Sequence, residues 1–527
     1  MPLLGCTSDG TAVPTGDAGA DGGGDAAVSC PVIATASGPL AGLASGATCT
    51  YQGVPFAAPP VGPLRWKPPQ PPASWTSPRP SAPASGCPQV ASPFGAASTT
   101  EDCLYLNVWA PPSALTGKGT SPAPVMVFVP GGAFEWGSGT FELYDGTKLA
   151  AATGNIVVTI NYRLGALGFL SNPALRAEDP AHPSAGNYAF EDQVAAFQWV
   201  KKNAGAFGGD ASNVTIFGES AGGTSMFLHL VSPKSRGLFD HVMIESGWAP
   251  YGSGALTQAV ADANGATLAA ALGCKATLAP AALLACLRAA SPTDLLDAVT
   301  VKGGGVQAPT GVDWLPVVDG FDLPDDPRKL FASGAFTKVP TLIGNNENEG
   351  TLFVLLATPT SNTSYVALEE AQWPGQGAAI AEEYPIASFG GSYDAAASAA
   401  LTDGSFLCAG RRVARAIASA GAPTFRYDFD HAIKFLLPGL GAFHGSELLF
   451  VFGNKIETSS LQPDELPLSQ AMMGYWGGMA ASGNPNGMGR FAWPAYTLGT
   501  EPEIVLDLTL STETELKKAQ CDFWDAL

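Results

Sequence analysis

Five residues, Gly218-Glu219-Ser220-Ala221-Gly222, constrain this chain more than any other stretch. They follow the apolar run Val214-Thr215-Ile216-Phe217 and precede a helix-compatible run through Met226 and Leu230. That order predicts a strand, a sharp turn and a helix, with a serine at the apex. Such a turn holds its serine in a strained conformation and presents the hydroxyl at the carboxyl end of a sheet. Glycines flank the serine because a Cβ there would crowd the approach of strand and helix. The helix opening at Ala221 aims N–H groups and partial positive charge at the serine, a place for a developing oxyanion. A chain with 63 glycines can produce this string by chance, so the strand before it and the helix after it carry the inference.

A serine hydroxyl is a poor nucleophile at neutral pH and needs a base, which in turn needs an orienting acid. The five histidines allow a search by elimination. His182 sits in a Pro-rich loop. His229 lies nine residues along the helix that follows the serine, too far to turn back. His241 opens the apolar strand Val242-Met243-Ile244. His431 and His444 remain, and His444 is favoured, in a glycine-flanked loop downstream of the strand-like Thr424–Phe429. For the acid, the apolar run from Val339 enters the polar loop Asn345-Asn346-Glu347-Asn348-Glu349-Gly350. Spacing does not separate Glu347 from Glu349. The buried-strand pattern Val125–Val129 ends in Pro130-Gly131-Gly132-Ala133-Phe134, a turn able to aim further N–H groups at a substrate carbonyl.

Other segments extend the pattern over about residues 30 to 527. They are Tyr51–Ala57, Pro60–Trp66, Glu101–Val108, Asn161–Gly165, Phe207–Asp210, Phe217–Gly223, Pro316–Gly320, Asn348–Gly350, Phe443–Leu448 and Cys521–Trp524. In this order they resemble the type-B carboxylesterases, the group that includes the cholinesterases and some lipases. The resemblance implies an α/β-hydrolase fold with a mostly parallel central sheet, helices on both faces and helical insertions over the catalytic face. It implies Ser220 as nucleophile, Glu349 as acid and His444 as base, with Gly132, Ala133 and Ala221 supplying the oxyanion hole. No cofactor or metal is expected. One departure is Pro130, where many bacterial members carry histidine; proline lacks an N–H, but the donors fall at the next positions. Glu219 is also a family feature, and a helix-start carboxylate has a structural reading besides. Glu219 is also a candidate for the substrate pocket, as are Phe134, Trp136, Trp248 and Phe443, which adjoin these segments and could equally be plain core.

The same resemblance implies disulfides Cys87–Cys103, Cys274–Cys286 and Cys408–Cys521, with Cys30 and Cys49 available for a fourth. Nine cysteines without metal-ligand spacing point to an oxidising compartment. Cys6 is left over. Leu3-Leu4-Gly5-Cys6 resembles the end of a bacterial lipoprotein signal, although the basic and apolar parts are absent. Residues 7–29, rich in Gly, Ala, Asp, Thr and Ser, read as a disordered tether. The expectation is a lipoprotein-signal-like start with a disordered linker over residues 1–29, one hydrolase domain over 30–527, and an exported bacterial protein that is periplasmic, tethered to the outer membrane by a lipid at Cys6, or secreted. On that expectation the sequons at Asn213 and Asn362 go unused.

A formal net charge of −20 disfavours nucleic acid and anionic membrane surfaces. No apolar run reaches the ~18 residues of a membrane span. Expected core strands are Val125–Val129, Ile156–Asn161, Val214–Phe217, His241–Glu245, Thr341–Gly344 and Thr424–Phe429, with helical insertions near 247–338 and 351–423. The function expected is serine carboxylesterase, through an acyl-enzyme intermediate. The rivals are a non-catalytic adhesion module of the same fold, a serine amidase or peptidase, and a lipase. Acyl and alcohol preference and oligomeric state are not legible.

Overall fold

The computed structural model describes residues 29–527 except 93–94, 118–120, 249–253, 300–310, 356–357, 434–436, 438 and 457–459. Cys6 and nearly all of the expected tether lie outside the described residues.

An eleven-stranded sheet organises the chain. In sequence order its strands are β1 (Leu43–Ser45), β2 (Thr48–Pro55), β3 (Tyr105–Ala110), β4 (Ala123–Val129), β5 (Ile156–Ile160), β6 (Gly209–Glu219), β7 (His241–Glu245), β8 (Thr341–Asn346), β9 (Thr424–Phe429), β10 (Pro502–Leu506) and β11 (Ser511–Thr514). In space they run β11-β10-β9-β8-β7-β6-β4-β5-β3-β2-β1. From β5 across to β10 every pairing is parallel. Antiparallel strands complete both ends.

The central strands are buried on both faces, which explains their near-continuous apolar sequences. Side chains alternate between two cores. Val125, Val127, Val129, Ile216 and Ile244 face the layer holding the helices Tyr188–Asn203 and Ala221–Val231. Met126, Phe128, Phe217, Met243 and Leu342 face the layer holding the helices Leu448–Phe452 and Leu466–Ser482. Arg163, just past β5, is tied at two nitrogens to buried Asp192, each bond 2.7 Å, which fixes the loop leaving β5 to the helix Tyr188–Asn203.

The strand order reverses between β4 and β6: the chain steps outward from β4 to β5, then returns to lay β6 on the other side of β4. At such a switch point two loops diverge and leave a crevice beyond the carboxyl ends of the strands. The Gly-Gly turn leaves β4 there and Ser220 leaves β6 there. Their strands are in register, Val129 opposite Gly218.

The expected strands are present, with longer bounds at β4, β6 and β8 and β5 ending at Ile160. The insertions contain helices, among them Gln258–Ala271, Pro280–Ala289, Asn362–Gln372 and Tyr393–Leu401. Four disulfides are formed: Cys30–Cys49, Cys87–Cys103, Cys274–Cys286 and Cys408–Cys521. Among the described residues no helix is long and apolar enough to cross a membrane.

Candidate active site

Ser220 occupies φ 57°, ψ −120°, a backbone conformation that side chains other than glycine rarely adopt. The turn is over-determined by its neighbours. A Cβ on Gly222 would lie 1.9 Å from the Val129 carbonyl oxygen, and one on Gly218 would lie 2.7 Å from the Gly222 backbone. The Ser220 N–H donates to the Glu245 carbonyl at 3.0 Å, pinning the apex to the end of β7. Ala221 begins the helix, so its N–H has no intrahelical acceptor.

The turn after β4 is shaped for close approach. Gly132, Ala133 and Phe134 have φ of 108°, 54° and 63°, three successive left-handed residues. The N–H groups of Glu135 and Trp136 both return to the Gly132 carbonyl, whereas those of Gly132 and Ala133 have no acceptor among the described residues. A Cβ on Gly131 would stand 2.9 Å from the Ser220 Cβ, so this turn passes directly against the serine. Two outside groups brace it. Tyr162 donates its hydroxyl to the Pro130 carbonyl at 2.8 Å. Buried Gln89 accepts from the Gly137 N–H at 2.9 Å and donates to the Gly137 carbonyl at 3.0 Å.

His444 and Glu349 meet because the loop after β8 pairs with the histidine loop. Asn348 N–H donates to the Ala442 carbonyl and Ala442 N–H to Asn348 Oδ1, each at 3.0 Å. Asn346 adds a bond from Nδ2 to the Phe443 carbonyl at 2.9 Å. In this frame Nδ1 of His444 lies 2.5 Å from Oε2 of Glu349, and both side chains are buried. Oε1 of Glu349 accepts the Asn346 N–H at 2.7 Å. Nε2 of His444 is 3.2 Å from Oε1 of Glu219, the residue before Ser220, and makes no hydrogen bond among the described residues. The imidazole thus faces the serine turn with Nε2 unengaged. Phe353 and Phe406 hold its ring, with centroids 4.9 and 5.0 Å away.

The other candidates go elsewhere. Glu347 pairs with Lys517 at 3.0 Å. His431 bridges Asp507 at 2.7 Å and Glu465 at 3.1 Å. His229 is sealed between Gln193 and Ser235, stacked on Phe190, and its burial lowers its pKa to about 3. His241 contacts Thr215, and His182 pairs with Glu191. Of the pocket candidates, Phe134 is core, edge-on to Phe169 at 5.2 Å, and Phe443 is buried in the opposite layer. Trp136 and Trp248 are half-buried.

Behind the imidazole lies a group of buried carboxyls that the sequence did not single out as a group. Burial first, and then the charges of Glu349 and Glu245, push the Glu219 pKa well above the usual carboxylate range. Glu245, bonded to Trp476 Nε1 at 2.9 Å, and Glu447, bonded to Asn346 Nδ2 at 2.5 Å, are raised in the same direction, again chiefly by burial.

A model of the carboxylesterase family matches residues 29–524. The chain belongs to the carboxylesterase family. Among relatives, carboxylesterase 5A of Canis lupus familiaris is 35% identical over 516 residues, covering 90% of this chain and 84% of that protein. Carboxylesterase 5A of Felis catus is 35% identical over 517 residues, covering 90% and 89%. Acetylcholinesterase of Bungarus fasciatus is 32% identical over 547 residues, covering 94% and 86%. In this carboxylesterase-family chain the strand order, the serine turn and the imidazole–carboxylate pair meet at one rim of the sheet.

Proposed function

We propose that the protein is a serine carboxylesterase that hydrolyses carboxylic esters through an acyl-enzyme intermediate. One observation carries the reading: His444 is held by Glu349 on one ring nitrogen while the other faces the Glu219–Ser220 turn, unengaged. Glu349 keeps the proton on Nδ1, so Nε2 is the basic atom. Substrate entry brings the Ser220 hydroxyl under Nε2, since such hydrogen bonds often tighten only in the complex. Ser220 Oγ attacks the ester carbonyl as His444 takes its proton. The oxyanion receives N–H bonds from Gly132, Ala133 and Ala221, the first two lacking any acceptor among the described residues. The imidazolium returns its proton to the departing alcohol, and water, activated by the same nitrogen, releases the acid.

The four disulfides support folding in an oxidising compartment, hence export, with the Leu3–Cys6 segment as a lipid-attachment signal. Turnover of nitrophenyl esters from acetate to palmitate, beside a matched anilide, tests the esterase reading. Ester hydrolysis that disappears in Ser220→Ala is expected. Faster anilide cleavage would move the protein to the amidases, and no turnover of either would favour the adhesion module.

A further inference from the structure

His182, set aside as a base because of its loop, belongs to a second cluster of ionisable groups. One donor atom from each of His182, Glu191 and Asp322 lies within 4.8 Å of the other two. His182 lies in the loop before the helix Tyr188–Asn203, Glu191 is in that helix's first turn, and Asp322 follows the short strand Val317–Val318. We propose that these three side chains bind one divalent cation of the zinc type, tying the loop that starts the helix to the segment after Val318.

Burial distinguishes this cluster from ordinary surface acids. Asp322 is 1% exposed, and its Oδ2 has no hydrogen-bond partner among the described residues. Oε2 of Glu191 is likewise buried and unpartnered. Leaving such oxygens unpaired is costly, and a bound cation removes that cost. Asp319 is committed to its own loop, accepting from the N–H groups of Phe321, Asp322 and Leu323 at 2.9–3.0 Å and from the Ser184 hydroxyl. Lys234, the nearby cation, lies 3.6 Å over the Phe321 ring and makes no ion pair with these carboxylates among the described residues.

The donor set selects the ion. One imidazole nitrogen with two carboxylate oxygens suits zinc and its borderline neighbours, whereas calcium and magnesium favour oxygen-only shells. Ligands ~2.1 Å from zinc stand roughly 3.4 Å apart in a tetrahedron, so adjustments of about 1 Å complete the site, with water as fourth ligand.

The test uses the full chain, stripped with chelator and passed into metal-free buffer. Zinc, manganese, calcium or magnesium ions are then added singly. Metal retained after gel filtration is counted by mass spectrometry, and unfolding is followed by calorimetry. The proposal expects about one zinc per chain and a Tm raised by a few degrees. It expects at least tenfold weaker zinc affinity in Asp322→Asn and in His182→Ala, with esterase turnover unchanged. Glu191→Gln serves if either variant fails to fold. No retained zinc, equal retention by the folded variants, or calcium binding as tightly as zinc would each overturn it.

Discussion

Oε2 of Glu349 and Nδ1 of His444 lie 2.5 Å apart, although 95 positions separate the residues in sequence. The other carboxylate oxygen is held by the Asn346 N–H, so the acid cannot rotate away from the ring. Glu349→Gln should therefore keep the fold and lose kcat by about 10³–10⁴, because an amide favours the wrong imidazole tautomer. Glu347→Gln, two residues away, should stay within about twofold of the parent enzyme, since its partner is Lys517 and not His444. Steady-state kinetics on one nitrophenyl ester separates the two; equal losses would contradict the assignment.

The buried carboxyl of Glu245 sets a pH dependence of stability. Its folded pKa lies above the unfolded value, so the native state holds a proton that the unfolded chain releases above about pH 4.5. That contribution to stability is complete at low pH and is lost as pH rises toward the folded pKa. Glu245→Gln removes the dependence and can still accept from Trp476. The Tm of the variant minus that of the parent should grow from pH 5 to pH 8, and calorimetry giving a constant difference would reject this.

Gln89 braces the turn proposed as the oxyanion hole through both polar atoms of Gly137. Gln89→Ala should lower kcat by roughly 10–10², with KM nearly unchanged, since displacing a donor weakens the transition state more than the ground state. A rise in KM alone would show that the turn serves substrate binding instead.

The Cys408–Cys521 bridge joins residues 113 apart. Closing a loop of that size stabilises by about 4–5 kcal/mol on the chain-entropy model. The double variant Cys408→Ala, Cys521→Ala should lose stability of that order in urea denaturation, whereas loss of the 12-residue Cys274–Cys286 closure should cost about 3 kcal/mol.

The parts of this architecture legible in the sequence are those fixed by local chemistry. β7 and β9 have the bounds expected from their sequences, and the serine turn is where the glycines demand it. The strands β1, β2, β3, β10 and β11 are not anticipated as strands, for two reasons. β2 contains Gly53 and a break in register between Tyr51 and Val54, and β11 is exposed along its length. Their pairing is decided by partners far along the chain. Choosing Glu349 over Glu347 needed the family resemblance, because the two differ only in what tertiary structure brings to them: His444 to one and Lys517 to the other. Phe353, Phe406 and Gln89 were missed for the same reason. Each touches the site from a distant segment, and none carries a signature of its own.

The most direct measurement is labelling with a nitrophenyl phosphonate, followed by peptide mass mapping and assay of residual turnover. The account predicts one adduct, on Ser220, with activity lost in proportion to labelling and no adduct in Ser220→Ala. Labelling at another serine, or near-normal ester hydrolysis by Ser220→Ala, would contradict it.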